Sequence, residues 1–174
     1  IVKSIFATAA GESVVPPLTP QDLAALGISG VDTDNIAAVI AAIAGTADNG
    51  SGIDSLSELS AVVDATLAAS RAAFTVISGY DGTNTIPSEA EFSAIAVTGV
   101  NPANISSVNS VLAVLSSSAT DLQAEVQAVV DTYVAILNGA DGVANAGLSL
   151  TAAQYQNIGL TEITTSSQAN LLNS

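Results

Sequence analysis

The chain has 174 residues and a formal charge of −14, from 16 acidic residues against two bases, Lys3 and Arg71, with no Cys, His, Met or Trp. Those absences exclude a Cys or His metal site, Ser-His-Asp and Cys-His catalysis and any disulfide framework. Two bases cannot neutralise a phosphate backbone, so nucleic acid is not an expected partner. The length predicts one domain or two very small ones. Charged residues make up 10%, against about 25% in an ordinary soluble domain. The aliphatic mass is enough to build small cores, which argues against disorder. The longest apolar stretch, Ile36 to Ala44, is about half of what a bilayer crossing needs, so no membrane insertion is expected. Without an initiating Met, the chain is expected to be a processed or excerpted piece, with any signal peptide outside it.

In chain order, the first residues read as the end of a helix, because Lys3, Phe6 and Gly11 recur as Arg71, Phe74 and Gly79. A short helix follows, about Pro20 to Leu26, with Thr19 and Asp22 as start signals. The corner Gly27-Ile28-Ser29-Gly30-Val31 comes next, with two glycines for a tight turn and two apolar residues for the core. A second helix is predicted over Thr33 to Ala44, N-capped by Asp32, with Ile36, Val39, Ile40 and Ile43 on one face. A third, long helix is predicted over Asp54 to Ile77, with an apolar stripe of Leu56, Leu59, Val62, Val63 and Leu67. Gly79 is the expected stop.

The same succession then repeats. A short helix is predicted over Ser88 to Ala96, a corner over Ala96-Val97-Thr98-Gly99-Val100, a second helix over Pro102 to Leu115 capped by Asn101, and a third over Asp121 to Leu137 stopped by Gly139. Sliding the chain by 69 positions places Leu23 on Phe92, Ile28 on Val97, Asn35 on Asn104, Val39 on Val108 and Ile43 on Leu112. A third copy opens near Leu150, with Tyr155, Leu160 and Ile163 in the places of Phe92, Val97 and Val100. The expected fold is all-α, tandem three-helix-bundle repeats of about 60–70 residues. Residues 1–15 end a preceding repeat, 16–83 form repeat 1, 84–147 form repeat 2 and 148–174 start a third. Each core is small, so stacking on neighbours should add stability.

The segment Tyr80-Asp81-Gly82-Thr83-Asn84-Thr85-Ile86-Pro87, then Phe92, Val97-Thr98-Gly99-Val100, Asn104-Ile105 and Val108-Asn109, resembles the tandem repeats of very large bacterial surface adhesins. More loosely, the helix pattern is similar to the three-helix GA module of surface proteins. The resemblance implies an extracellular, cell-surface stalk or filament segment, in adhesion or a biofilm matrix, with no catalysis. The chain departs from that pattern at Ala96, where the family has Gly, and at Gln168, which falls where Ile105 would.

Candidate sites are few. The carboxylate pairs Glu89/Glu91 and Asp32/Asp34 sit at helix starts, where capping accounts for them. No cofactor or metal is expected, and calcium is the one candidate to weigh against that. Asp48, Asp54, Asp81 and Asp141 lie in acidic loops, but Leu59 stands where a calcium loop would need its closing acid. A flexible loop with Asp54 as N-cap is the simpler account. Lys3 and Arg71 suit helix C-termini, or a salt bridge between units. Together with Phe6 and Tyr80 they are the inter-unit contact candidates. Tyr80 is expected to be exposed, and Tyr133 and Tyr155 to be core. Expected partners are neighbouring repeats or further copies of the same protein, including head-to-tail filament contacts. The alternative is a three-helix binding module that recognises a host or matrix protein.

Overall fold

The computed structural model describes residues 1–47, 51–139 and 149–173. Among them the protein is all-helical, with nine α-helices and no strand. These are α1 (Val2–Ala9), α2 (Pro20–Ala25), α3 (Ile36–Ala44), α4 (Leu56–Ser78), α5 (Glu89–Ala94), α6 (Ile105–Leu112), α7 (Gln123–Gly139), α8 (Ala152–Asn157) and α9 (Ser166–Leu172), with a 3-10 turn at Ser117–Ala119. Contacts divide the chain into two compact units, Ile1–Ala73 with Ala94–Ala96, and Phe74–Ser93 with Val97–Ser174.

In the first unit a single aliphatic core draws Ile5 and Ala9 from α1, Leu23 from α2, Val39 and Ile43 from α3, and Leu59, Val63 and Leu67 from α4, with Ile28 from the corner. None of these helices would persist alone in water, so burial of their apolar stripes holds them. Ile36, Ile40 and Val62 pack on the rim. Leu56, predicted in the stripe, is mostly exposed. In the second unit the fully buried side chains include Ile77, Phe92, Val108, Leu112, Val126, Val129 and Val130. There α6 contacts α7, α7 contacts α8, and α8 contacts α9.

Several helix starts are set by side-chain caps. Thr19 and Asp22 form a capping box at α2, and Thr151 with Gln154 and Thr165 with Gln168 do so at α8 and α9. At α5 Ser88 donates from both N and Oγ to Glu91 Oε2, and Ser88 Oγ accepts from Ala90 N at 3.3 Å. Each box satisfies orphan N–H groups at the open end of the helix. At α4 the cap is Ser55, not Asp54. Ser55 N donates to Glu58 Oε2 at 3.1 Å, and Glu58 N donates to Ser55 Oγ at 3.2 Å.

The second helices start later than the apolar pattern suggests. Asp32 and Asn101 each head a four-residue turn. Asp32 O accepts from Ile36 N at 3.0 Å, and Asn101 O from Ile105 N at 2.9 Å. Nor is Gly79 a left-handed stop, since its φ is not positive. A Cβ there would lie 2.7 Å from the Thr75 carbonyl oxygen, so space is what requires glycine. Gly139 is the last residue of α7.

Helix α4 is long and apolar enough, by length and composition alone, to cross a membrane, with mean hydropathy 1.3. Its Leu59, Val63 and Leu67 stripe lies in the core. Its exposed residues are largely Ala, with Leu56, Ser57, Glu58, Asp64, Arg71 and Thr75.

Candidate functional site

The most distinctive local geometry is the corner between first and second helices, which recurs three times. After α2 the chain turns through Gly27 at φ +84°, after α5 through Ala96 at φ 55°, and after α8 through Gly159 at φ +89°. The next residue then donates back to the buried first-helix residue. Ile28 N reaches Leu23 O at 3.1 Å, Val97 N reaches Phe92 O at 2.9 Å, and Leu160 N reaches Tyr155 O at 3.1 Å. This is the Schellman arrangement, which satisfies terminal carbonyls that the helix leaves open. Leu23, Phe92 and Tyr155 are all buried at this point.

A side-chain amide closes each corner. Asn35 Oδ1 accepts from Asp32 N at 3.0 Å while its Nδ2 donates to Gly30 O at 3.1 Å. Asn104 repeats this with Asn101 N at 2.8 Å and Gly99 O at 2.7 Å. In the third corner Gln168 takes the same part, accepting from Thr165 N at 3.0 Å and donating to Glu162 O at 3.2 Å. Gln168 therefore stands in the place of Asn104, which corrects the expectation that it replaces Ile105. The third corner is one residue longer, and the amide has one more methylene to close it. The shifted register has independent support. Asn109 Nδ2 donates to Pro87 O at 2.8 Å, and Asn173 Nδ2 donates to Leu150 O at 2.8 Å.

The same clasp appears in the linker after α4. Asn84 accepts from Asp81 N at 3.4 Å and donates to Gly79 O at 2.6 Å. Asp81 Oδ1 accepts from Thr83 N at 2.9 Å and Asn84 N at 3.2 Å. These bonds, those from Thr83 foremost, hold the Asp81 carboxyl below its ordinary range. Asp81 is thus a turn-forming side chain.

Asp54 is exposed at the start of α4. Its hydrogen bond to Glu58, and then the like charge there, raise its pKa, while Glu58 is lowered by bonds to Asp54 and Ser55. Asp48 and Asp141 lie outside the described residues. Among the described residues no three Asp or Glu side chains come together. Of the paired carboxylates, Glu91 is lowered by its bonds to Ser88, and Asp32 Oδ1 accepts from Asp34 N at 3.0 Å and Asn35 N at 3.2 Å. Their chemistry is that of caps and turns.

Lys3 is exposed on α1. Arg71 lies over the first corner, its Nη2 3.8 Å from where a Gly30 Cβ would stand. Phe6 is partly exposed and borders an apolar cavity of about 220 Å³ with Val2, Leu26, Ile53 and Leu56. Tyr80, expected exposed, is half-buried. Tyr133, expected in the core, is half-buried too, because its face of α7 is incompletely covered. Tyr155 is buried, and its hydroxyl donates to Asn173 Oδ1 at 2.9 Å.

Sequence reasoning missed Gln127. Thr98 N donates to its Oε1 at 2.9 Å and its Nε2 donates to Thr98 O at 3.1 Å, joining the second corner to α7. Ser60, just before Ala61-Val62-Val63-Asp64, stands where Gln127 precedes Ala128-Val129-Val130-Asp131, so direct comparison of the two segments held the signal. No family model, curated protein or solved structure matches the chain.

Proposed function

We propose that this chain is a structural segment of a repetitive extracellular bacterial surface protein. It consists of tandem three-helix repeats of about 60–70 residues and acts as a stalk or filament-forming unit in adhesion or a matrix, without catalysis. The observation that carries this reading is the threefold corner, in which a left-handed residue, a backbone return bond and an amide clasp recur together. Such recurrence is the mark of a repeated unit rather than of a single reactive centre. The use of Asp22, Glu58, Glu91 and Asp81 as caps and turns agrees with a role that needs shape and not chemistry.

Electron microscopy of the native material in negative stain tests it. Long filaments of constant width are expected. Isolated compact particles refute the filament role, and filaments that dissolve on calcium chelation assign the acidic loops a metal.

The second reading is a three-helix module that binds a host or matrix protein. The apolar cavity beside Phe6 and Leu56 favours it, since partly exposed aromatic and aliphatic anchors suit a docking partner. Loss of surface binding on Phe6→Ser, with the fold retained, would decide for this reading.

A further inference from the structure

The bond that ties the second helix to the start of the first differs from copy to copy. In the third copy the Asn173 amide is bonded at both ends. Its Nδ2 donates to Leu150 O at 2.8 Å, and its Oδ1 accepts from Leu150 N at 3.2 Å and from the Tyr155 hydroxyl at 2.9 Å. In the second copy Asn109 repeats only half of this. Its Nδ2 donates to Pro87 O at 2.8 Å, while its buried Oδ1 has no partner among the described residues. The sequence gives the reason. Pro87 stands in the place of Leu150 and has no N–H, and Phe92 stands in the place of Tyr155 and has no hydroxyl. In the first copy the matching residues are Leu18, Leu23 and Ile40, so the site there is apolar throughout.

An apolar site and a fully bonded one are both stable, but a half-bonded one is weaker than either. A buried acceptor without a donor loses its hydration and gains no bond in return. Opening restores that hydration, so the closed state alone bears the cost. Little else holds the segment shut. Pro87 and Phe92 are buried, whereas Ile86, Ser88, Glu89 and Ala90 are exposed. The cap differs too. Ser88 Oγ accepts from Ala90 N at 3.3 Å, where Thr19 and Thr151 accept from the amide three residues on.

We propose that residues 87–92 form a releasable strap, which opens at the Asn109–Pro87 contact while α6 and α7 stay folded. Pro87 and Phe92 leave together, and water takes up the Asn109 amide oxygen. The pair Pro87 and Phe92 is what keeps this strap from locking as its counterpart does on Asn173. The inference uses hydrogen bonds within the second unit and does not depend on the stalk or filament role.

Native-state hydrogen exchange on the full chain tests it. The Asn109 side-chain amide and the Phe92 backbone amide are expected to exchange about tenfold or more faster than the amides of Val126 and Val130, after correction for intrinsic rates. Phe92→Tyr supplies the missing donor and is expected to slow exchange of the amide at position 92 by about tenfold. That slowing is expected to vanish in an Asn109→Ile background, isoleucine being what the first copy carries there as Ile40. Strap amides that exchange only together with Val126 and Val130 overturn the proposal. So does a Phe92→Tyr protein with unchanged exchange, or a slowing that survives Asn109→Ile, because the gain is then one of packing. If Phe92→Tyr does not fold, Pro87→Leu decides. It supplies an N–H where Leu150 has one, and the new amide at position 87 is expected to be protected. Free exchange at that amide overturns the proposal.

Discussion

Exchanging the residues at the first and second corners should change stability in opposite directions. Gly27 sits at φ +84°, and a Cβ there would meet nothing within 4 Å. Gly27→Ala therefore isolates the backbone cost from any steric one. Ala96 already carries a Cβ at φ 55°. A left-handed conformation costs an L-residue roughly 1–2 kcal/mol. Replacing Gly by Ala returns about 0.4–1 kcal/mol by narrowing the unfolded ensemble. The difference is a loss of about 1 kcal/mol for Gly27→Ala and a gain of similar size for Ala96→Gly. At this chain length that corresponds to a shift of about 2–4 °C in the midpoint of thermal unfolding. Urea denaturation followed by far-UV circular dichroism, with thermal scans, measures both variants. The double variant should return near the parent, since the two substitutions act at the ends of different helices, α2 and α5. A stabilised Gly27→Ala protein, or a destabilised Ala96→Gly protein, would refute the claim that these corners are equivalent left-handed helix ends.

Further outcomes follow from the hydrogen bonds. Gln127→Ser should cost about 1 kcal/mol and speed exchange of the Thr98 amide, since two partly exposed backbone bonds are lost. The reciprocal Ser60→Gln should slow exchange at Ser29, and an unchanged rate there would show that the first corner cannot take the clasp. Asn109 is buried with Nδ2 bonded to Pro87 O and with Oδ1 unpartnered. Asn109→Asp should destabilise by about 3 kcal/mol at pH 7, because an unpaired buried charge is costly, and the loss should shrink in acid as that carboxyl gains a proton. The capping carboxylates Asp22 and Glu91 and the turn carboxylate Asp81 lie below their ordinary values of 3.8, 4.5 and 3.8. Their contribution to stability is thus present above those values and is lost as pH falls through the depressed ones. Asp54 has the opposite sign, since its raised pKa favours the fold at low pH and that part is lost as pH rises through it. Carboxyl NMR titration should find Asp22, Glu91, Asp81 and Glu58 titrating below their ordinary values and Asp54 above its own. A lowered Asp54 or a raised Glu58 would refute the Asp54–Glu58 bond.

Some of the molecule was readable from its residues alone. Apolar spacing located the helices, and the shift of 69 aligned Leu23 with Phe92 and Val39 with Val108, all buried. These positions are legible because a helix must bury one face, and that face has a fixed period. The glycines of the first corner were legible for a related reason, since a left-handed turn favours residues without a Cβ.

Other features depended on tertiary structure. That Ser55 rather than Asp54 caps α4 depends on which oxygen meets Glu58 N, and both residues are good caps in isolation. That Gln168 replaces Asn104 depends on a clasp closing over a corner one residue longer, a relation with no fixed spacing. Gln127 reaches a backbone 29 residues away, beyond any local pattern. Exposure was the least legible property. Leu56 looks like a core residue, and Leu160 follows its left-handed turn as the buried Ile28 and Val97 follow theirs, yet both leucines are open. A side chain's own sequence decides whether it favours burial, but only the folded neighbours decide whether anything covers it.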